Sequence, residues 1–197
     1  MKKILLISYY WPPNAGGGAR RWLNFQKYIS KEYSMTIYTP ENPTFLNEDE
    51  ALINSVSSNT HTIKQKIWEP YDLYKKFTKK NKVNPGVLID SPRGFKEKFT
   101  NWVRANFFIP DAKCFWVDQS VSYLSKLFLK DNFDYVISTG PPHSMHLIAL
   151  NLSEKYNFKW IADFRDPWTN MEYFAKLPLI HDSKKKHFEL QKKVISK

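Results

Sequence analysis

The first forty residues place two apolar runs on either side of an amphipathic stretch. Residues 3–9 are almost continuously apolar, which is typical of a strand buried on both faces. Residues 19–33 carry apolar side chains at helical spacing, with Trp22 and Phe25 on one face, and residues 35–39 form a second apolar run. A strand, a glycine loop, a helix and a second strand indicate a crossover unit in a parallel sheet.

The same alternation continues along the rest of the chain. Residues 40–59 are loop-like, residues 60–67 alternate weakly as a third strand, and residues 68–118 form an irregular insertion rich in basic and aromatic residues. The pattern therefore predicts an α/β fold, a Rossmann-like parallel sheet with helices on both faces. The elements predicted after the insertion are a helix from residue 119, a strand at 135–139, a helix over 145–156, a strand at 159–164 and a helix at 183–197.

Three loops follow the carboxyl ends of predicted parallel strands. They span residues 12–21, 140–146 and 163–169. In open α/β sheets ligands bind at this edge, where the strand order reverses. The topology therefore predicts that these loops form a binding site.

Composition narrows the class of protein. The 197 residues are 42% hydrophobic and 16% aromatic, which excludes a disordered chain. The single cysteine, Cys114, cannot form an intramolecular disulfide, so a reducing cytoplasm is the simplest location. No apolar run reaches the roughly 18 residues that a membrane span requires.

The net charge of +11 is concentrated in the middle of the chain. Residues 61–130 hold 14 basic and 6 acidic side chains, interleaved with aromatic residues. Such a segment is a solvated helical face, an anionic membrane surface contact or a nucleic-acid contact. Nucleic acid is the least favoured of the three, because the sequence has no recognisable nucleic-acid motif.

Gly16, Gly17 and Gly18 follow the first strand and precede Arg20 and Arg21. Consecutive glycines let backbone N–H groups approach an anion, which the positive end of the next helix also favours. The dinucleotide pattern would need a glycine at position 21, and no P-loop pattern occurs. The alternative is a plain turn that requires positive φ angles.

His143 and His146 lie one helical turn apart at the start of a predicted helix. Imidazole there suits the binding or deprotonation of a hydroxyl. A structural role and a metal pair completed by Asp163 or Asp166 are the alternatives, but two histidines without a third assured ligand are a thin metal signal. We therefore predict no metal.

Asp163, Arg165 and Asp166 alternate in charge at a strand end. A carboxylate at this position could bind sugar hydroxyls, and Arg165 could hold a phosphate in a bidentate geometry. Mutual ion pairing among the three side chains is the structural alternative.

Three motifs together resemble a known enzyme family. Residues 10–21 (YWPPNAGGGARR), 138–147 (STGPPHSMHL) and 162–168 (ADFRDPW) look like the amino-terminal half of a bacterial family 4 (group 1) glycosyltransferase. Residues 104–106 (RAN), residues 109–112 (IPDA) and Trp116 resemble a further segment of this subgroup. Matching stretches cover most of the chain apart from residues 41–95.

The resemblance implies the GT-B architecture, in which two Rossmann-like domains bind a nucleotide-sugar donor and an acceptor between them. It implies retaining, metal-independent hexosyl transfer, without a cofactor, to a glycan or lipid-linked acceptor in cell-surface polysaccharide synthesis. Residues 1–197 would be the acceptor-side domain. The donor-binding domain would be absent and the chain alone inactive, on the inner face of the cytoplasmic membrane or free in the cytoplasm.

The resemblance also assigns roles to individual residues. Gly16, Gly17 and Gly18 would approach phosphate, with Arg20 or Arg21 contacting the anion. The remaining loop residues would bind acceptor or sugar hydroxyls. Among them, the catalytic residues would be His143, Arg165 and Asp166, and the binding residues would be His146 and Asp163.

Two other functions remain open at the level of the sequence. One is a stand-alone module that binds an anion or a sugar. The other is an epimerase or hydrolase of nucleotide sugars with the same fold and glycine loop.

Overall fold

The computed structural model describes residues 1–44, 47–68 and 94–197. Its five strands form one sheet in the order β3–β2–β1–β4–β5, and every neighbouring pair is parallel. The predicted parallel sheet is confirmed. The strands are β1 (Lys3–Ile7), β2 (Ser34–Pro40), β3 (Thr60–Gln65), β4 (Tyr135–Gly140) and β5 (Lys159–Phe164).

Helices follow the strands as the apolar spacing predicts. The first begins at Gly17 rather than at Ala19, so two of the three consecutive glycines lie within it. A short 3₁₀ helix, Glu50–Ser55, interrupts the loop before β3. The α-helices are α1 (Gly17–Ile29), α2 (Phe95–Phe107), α3 (Trp116–Phe128), α4 (Ser144–Ser153), α5 (Glu172–Ala175) and α6 (His181–Ile195).

Each face of the sheet has its own apolar core. Alternate side chains of β1 point to opposite faces, as the pleat requires. Leu5 and Ile7 pack in the cluster that contains residues of α3 and α4, whereas Ile4 and Leu6 pack with Trp22 of α1. Helices therefore cover both faces, and the prediction that β1 is buried on both sides is confirmed.

A third apolar cluster attaches α6 to this framework. Leu150 of α4, Trp168 and Val194 of α6 are each at most 6% exposed and pack together. Trp168 lies in the loop after β5, so this cluster fixes that loop against two helices.

The prediction of an irregular insertion is wrong over residues 95–107, where the chain forms α2. The helix was missed because its buried positions include Asn101, Ala105 and Asn106, whereas Phe95 and Phe99 are exposed. Residues 69–93 of the predicted insertion lie outside the described residues.

Asn106 joins α2 to the start of α6. Its amide nitrogen donates to the carbonyl oxygens of Trp102 and Pro178, each at 2.8 Å, and its side-chain oxygen accepts from the backbone N–H of Ile180 at 2.8 Å. Ser183 Oγ donates to the Asn106 carbonyl at 3.2 Å. The side chain is only 7% exposed, so these bonds replace water that cannot reach it.

We expect Asn106→Ala to lower the free energy of unfolding by about 1–3 kcal/mol, because it leaves the Ile180 N–H and the Pro178 carbonyl without their partner. Urea unfolding followed by circular dichroism measures the change. The exposed Asn157, replaced by alanine, is the control. Equal effects of the two substitutions would contradict this role of Asn106.

Candidate functional site

The three predicted loops meet at one edge of the sheet. The order of strands along the sheet reverses between β1 and β4, and the loops after β1, β4 and β5 leave from neighbouring strands at their carboxyl ends. This is the position at which doubly wound sheets bind ligands. The prediction that the loops converge is confirmed.

Asp163, at the end of β5, ties the three segments together. One carboxylate oxygen accepts from Arg21 Nη2 at 2.9 Å. The other accepts from Trp22 Nε1 and from Thr139 Oγ1, both at 2.9 Å. The side chain is 11% exposed. Asp163 and Arg21, both predicted to bind ligands, therefore contact each other, and Asp163 is largely occupied by its own protein.

The glycine loop enters directly into α1. Gly16 is the N-cap with a φ of −71°, and no described glycine has a positive φ. The alternative of a turn that needs left-handed glycines is therefore wrong. A Cβ atom on Gly17 would meet nothing within 4 Å, whereas one on Gly18 would lie 1.8 Å from Arg165 Nη1. The glycine at position 18 makes room for the arginine.

Arg165 lies between the first and second loops. Its Nη2 donates to the Pro141 carbonyl at 2.8 Å, and its guanidinium carbon lies 5.7 Å from the centre of the Tyr10 ring. Its Nε is buried, with no hydrogen-bond partner in the described part of the chain. Arg165 is therefore held by packing, while part of its donor capacity is unused.

The amino end of α1 carries basic but no acidic side chains in its first turns. No acidic residue lies in the first turn of this helix, and no side chain caps it. Arg20 donates through Nε to the Ala15 carbonyl at 2.9 Å, and its Nη2 lies 3.9 Å from Asp49, with the side chain 56% exposed. Helix N-termini favour anions and disfavour cations. Arg20 and Arg165 lie beside the amino end of α1, which makes this helix end a favourable place for an anion.

The two histidines lie where the second loop runs into α4, with His143 as the N-cap and His146 in the first turn of the helix. His143 is 9% exposed and stacks on Trp168, with ring centres 4.8 Å apart. His146 is fully buried and stacks on Phe164 at 4.3 Å. A Cβ on Gly140 would lie 2.6 Å from His146 Nε2 and 3.0 Å from His143 Nδ1, so this glycine admits both rings. Only His143 reaches the surface of the site.

A chain of hydrogen bonds orients His146. Trp160 Nε1 donates to Ser138 Oγ at 2.9 Å, and Ser138 Oγ lies 2.8 Å from His146 Nδ1. The hydroxyl satisfies all three groups when it donates to Nδ1, which leaves the proton of neutral His146 on Nε2. His146 Nε2 and His143 Nδ1 are buried without a partner among the described residues.

Burial keeps both rings neutral. Desolvation, together with a smaller effect of the neighbouring His143, lowers the pKa of His146 to about 3. Desolvation also lowers the pKa of His143, an effect that Asp111 and Asp166 oppose and Arg165 reinforces. Asp166 is exposed beside this pair. The site thus offers neutral imidazole, a surface carboxylate and a guanidinium.

Asp111 is a structural member of the site that we did not predict from residue chemistry. Its carboxylate accepts from the backbone N–H of Ser144 at 2.9 Å and from Ser144 Oγ at 2.8 Å. It also accepts from the backbone N–H of Lys113 at 2.9 Å. A carboxylate at the start of α4 stabilises that helix end. The only sequence signal was its place in the family-like segment 109–112.

A cleft of about 160 Å³ opens at the same edge, beyond β1, β2 and β3. Its walls combine an aromatic ring, prolines and charged side chains. Its polar and aromatic lining residues include Trp11, Thr39, Glu41, Asn42, Glu48 and Lys64.

Within the described ranges, no group of three histidine, cysteine or acidic side chains could hold a metal ion. Nor does any described helix have the length and apolarity to cross a membrane.

Sheet order and site position define a Rossmann-like class of domain. No family model and no curated protein matches the chain. Among solved structures it is similar to sucrose-phosphate synthase from Thermosynechococcus elongatus, with 12% sequence identity and a TM-score of 0.55. The alignment covers 100% of this chain and 41% of that one. The likeness shows the fold, an α/β domain similar to part of a GT-B glycosyltransferase.

We expect the chain to lose stability as the pH falls from 7 to 5, with His146 contributing about 2 kcal/mol. The unfolded chain binds a proton on this side chain below about pH 6.5, whereas the folded chain stays neutral down to about pH 3. The contribution of His146 to the free energy of unfolding is therefore full above pH 6.5, the pKa of this side chain in the unfolded chain, and declines as the pH falls below that value. His187, whose pKa burial lowers to about 4, adds to the decline.

Urea unfolding of His146→Gln at the two pH values tests this expectation. The difference in unfolding free energy between pH 7 and pH 5 should shrink relative to the unsubstituted chain. His61→Gln, at an exposed position, is the control and should leave the difference unchanged. A variant of His146 with the full pH dependence would contradict the assignment.

Proposed function

We propose that this chain is the acceptor-side domain of a GT-B glycosyltransferase. The enzyme would move a sugar from a nucleotide-sugar donor to a hydroxyl of a glycan or lipid-linked acceptor. The observation that carries the proposal is the amino end of α1, where the glycine backbone, Arg20 and Arg165 lie at a helix whose first turn has no acidic residue. The GT-B-like fold supports the class of enzyme.

The donor's diphosphate fits the amino end of α1. The backbone N–H groups of Gly17 and Gly18 lie in the first turn, where they have no partner four residues earlier in the helix. A phosphate oxygen can approach the exposed Gly17 because this glycine has no side chain and nothing lies within 4 Å of its Cβ position, whereas the space beside Gly18 is filled by Arg165. The helix dipole then adds to the attraction.

Arg165 is the cation best placed for that phosphate. Its guanidinium lies against Gly18 and, among the described residues, forms one hydrogen bond, from Nη2 to the neutral carbonyl of Pro141. No carboxylate of the described residues forms an ion pair with Arg165, whereas Arg21 pairs with Asp163. Arg165 and the exposed Arg20 would therefore hold the anion, and Arg21 would act mainly through Asp163.

His143 and Asp166 would bind hydroxyl groups of the transferred sugar or of the acceptor. His143 is neutral because burial lowers its pKa, so its ring can exchange hydrogen bonds with a hydroxyl rather than compete for the phosphate. Asp166 is exposed next to it and can accept a hydroxyl proton in a hydrogen bond. His146 would support His143 from beneath, since it has no exposed surface.

The acceptor would lie in the cleft beside Trp11, Glu41 and Glu48. The carboxylates of Glu41 and Glu48 suit a polyhydroxyl compound, whose O–H groups can donate to them, and Trp11, 3% exposed, lines the cleft from the core. Transfer would join the acceptor oxygen to the sugar's anomeric carbon while the bond from that carbon to the diphosphate breaks, and the hydroxyl proton would leave with the diphosphate. Retention of configuration, independence from metal ions and a role in cell-surface polysaccharide synthesis belong to this proposal through the family-like motifs.

We expect Gly17→Val to weaken binding of inorganic pyrophosphate by about tenfold or more without unfolding the chain. The new side chain would extend into open space beside the helix end and block the approach of the anion. Isothermal titration calorimetry on the 197-residue chain measures the affinity. The matched control is Gly94→Val, because Gly94 is the N-cap of α2 and also has open space around its Cβ position. Equal affinities of the two variants would refute the phosphate assignment.

We expect Gly18→Ala to weaken pyrophosphate binding by about tenfold for a different reason. The added methyl group would displace the Arg165 guanidinium, whose flexible end can move without disturbing the fold. A charge-assisted hydrogen bond contributes about 1.5–3 kcal/mol. Urea unfolding checks the fold of this variant, because the higher helix propensity of alanine opposes the loss of the Arg165 hydrogen bond to the Pro141 carbonyl. Unchanged affinity in Gly18→Ala, with Gly94→Ala as control, would count against Arg165.

A further inference from the structure

Helix α2 directs its largest apolar side chains away from the protein. Phe95 is 85% exposed, Phe99 is 57% exposed and Trp102 is 37% exposed. At about 100° per residue these three positions fall within about 60° of one another around the helix axis. They form one face, which we term the aromatic stripe (Phe95, Phe99 and Trp102).

The aromatic stripe is a continuous surface. The rings of Phe99 and Trp102 are nearly parallel, with centres 6.2 Å apart. Trp102 also contacts Phe107 edge-on at 5.9 Å, and Phe107 is itself 65% exposed. Single exposed apolar residues are common on proteins, but a contiguous aromatic patch marks an interaction surface.

The remainder of α2 keeps the stripe outward. Asn101 and Ala105, which follow the same helical spacing on another face, are 8% and 6% exposed. At the carboxyl end, Asn106 is fixed by its bonds to Pro178 and Ile180. Turning the helix to bury the aromatic rings would break those bonds, so the outward direction is part of the folded structure.

The charges around the stripe are basic. Lys96 and Lys98 are both exposed, and helical geometry places them on opposite sides of the stripe, roughly 70–90° from its centre. Glu97 and Arg104 project from the other side of the helix. By sequence, residues 69–93, which precede α2, hold six basic and three acidic side chains. An apolar centre bordered by lysines is the pattern of a helix that lies in a lipid–water interface.

We propose that the aromatic stripe of α2 binds the surface of an anionic lipid bilayer. The rings would enter the boundary between headgroups and acyl chains, where aromatic side chains are favoured. Lys96 and Lys98 would extend their amines to the lipid phosphates while their methylene chains cover apolar surface. Nucleic acid fits less well, because the centre of the stripe offers no cation to a phosphate backbone.

This binding surface does not depend on the proposed glycosyl transfer. The stripe shares no residue with the anion site at α1, so vesicle binding and pyrophosphate binding can fail separately.

Flotation with lipid vesicles tests the proposal on the 197-residue chain. Vesicles of phosphatidylcholine alone are compared with vesicles that contain 30% phosphatidylglycerol. The chain should float with the anionic vesicles and bind the neutral ones at least about tenfold more weakly, since each surface lysine contributes about fivefold to binding at an anionic surface. Higher salt should weaken the anionic binding.

Two variants separate the apolar and charged contributions. The triple variant Phe95→Ser, Phe99→Ser, Trp102→Ser and the double variant Lys96→Gln, Lys98→Gln should each lose at least about tenfold in binding to anionic vesicles. The control combines Tyr28→Ser and Leu129→Ser, at positions that are 72% and 80% exposed elsewhere on the protein, and should bind as the unsubstituted chain does.

Several results would overturn the proposal. These are a failure to bind either type of vesicle, equal binding to neutral and anionic vesicles, and undiminished binding by the triple variant. Circular dichroism and urea unfolding verify that the variants fold, which we expect because every substituted side chain is exposed. If the triple variant is unstable, the lysine variant decides, and its undiminished binding would equally overturn the proposal.

Discussion

The carboxylate of Asp163 is the contact on which the candidate site depends. Its three hydrogen bonds reach Arg21 and Trp22 on α1 and Thr139 on β4, so segments more than a hundred residues apart along the chain are held at one point. Trp22 also belongs to the apolar core beneath α1. Removing the carboxylate would leave buried donors unpaired and free the amino end of α1 to shift relative to the sheet. The distance between α1 and the loops after β4 and β5 is therefore set by charge and hydrogen bonding, with the core as support.

Two glycines determine which side chains can occupy the space that this clamp creates. Gly18 leaves room for the Arg165 guanidinium, and Gly140 leaves room for the rings of His143 and His146. Neither glycine has a positive φ, so their value lies in the absent side chain rather than in backbone freedom. Arg165, His143 and His146 therefore occupy space that a Cβ atom at position 18 or 140 would take.

The sequence predicted the sheet well because the signal for it is local. Apolar runs at β1 and β4 mark strands buried on both faces, and the loops follow them directly. Helix α2 was missed because its buried positions include asparagines, which an apolar period does not register. The pairing of Arg21 with Asp163 was also beyond reach, since partners 142 residues apart are brought together only by the tertiary fold. The charges of Arg21 and Asp163 indicated that both residues bind something, but the sequence could not distinguish binding of a ligand from an ion pair between the two.

The division of charge in the site has a consequence for anion binding. Burial lowers the pKa values of His143 and His146, so neither ring contributes a positive charge near neutral pH. The attraction for a phosphate then comes from the guanidinium groups of Arg165 and Arg20 and from the end of α1. A histidine with an ordinary pKa in the same place would make affinity depend on pH between about 6 and 7. By holding its imidazoles neutral, the site separates recognition of an anion by permanent charges from recognition of hydroxyl groups by uncharged rings.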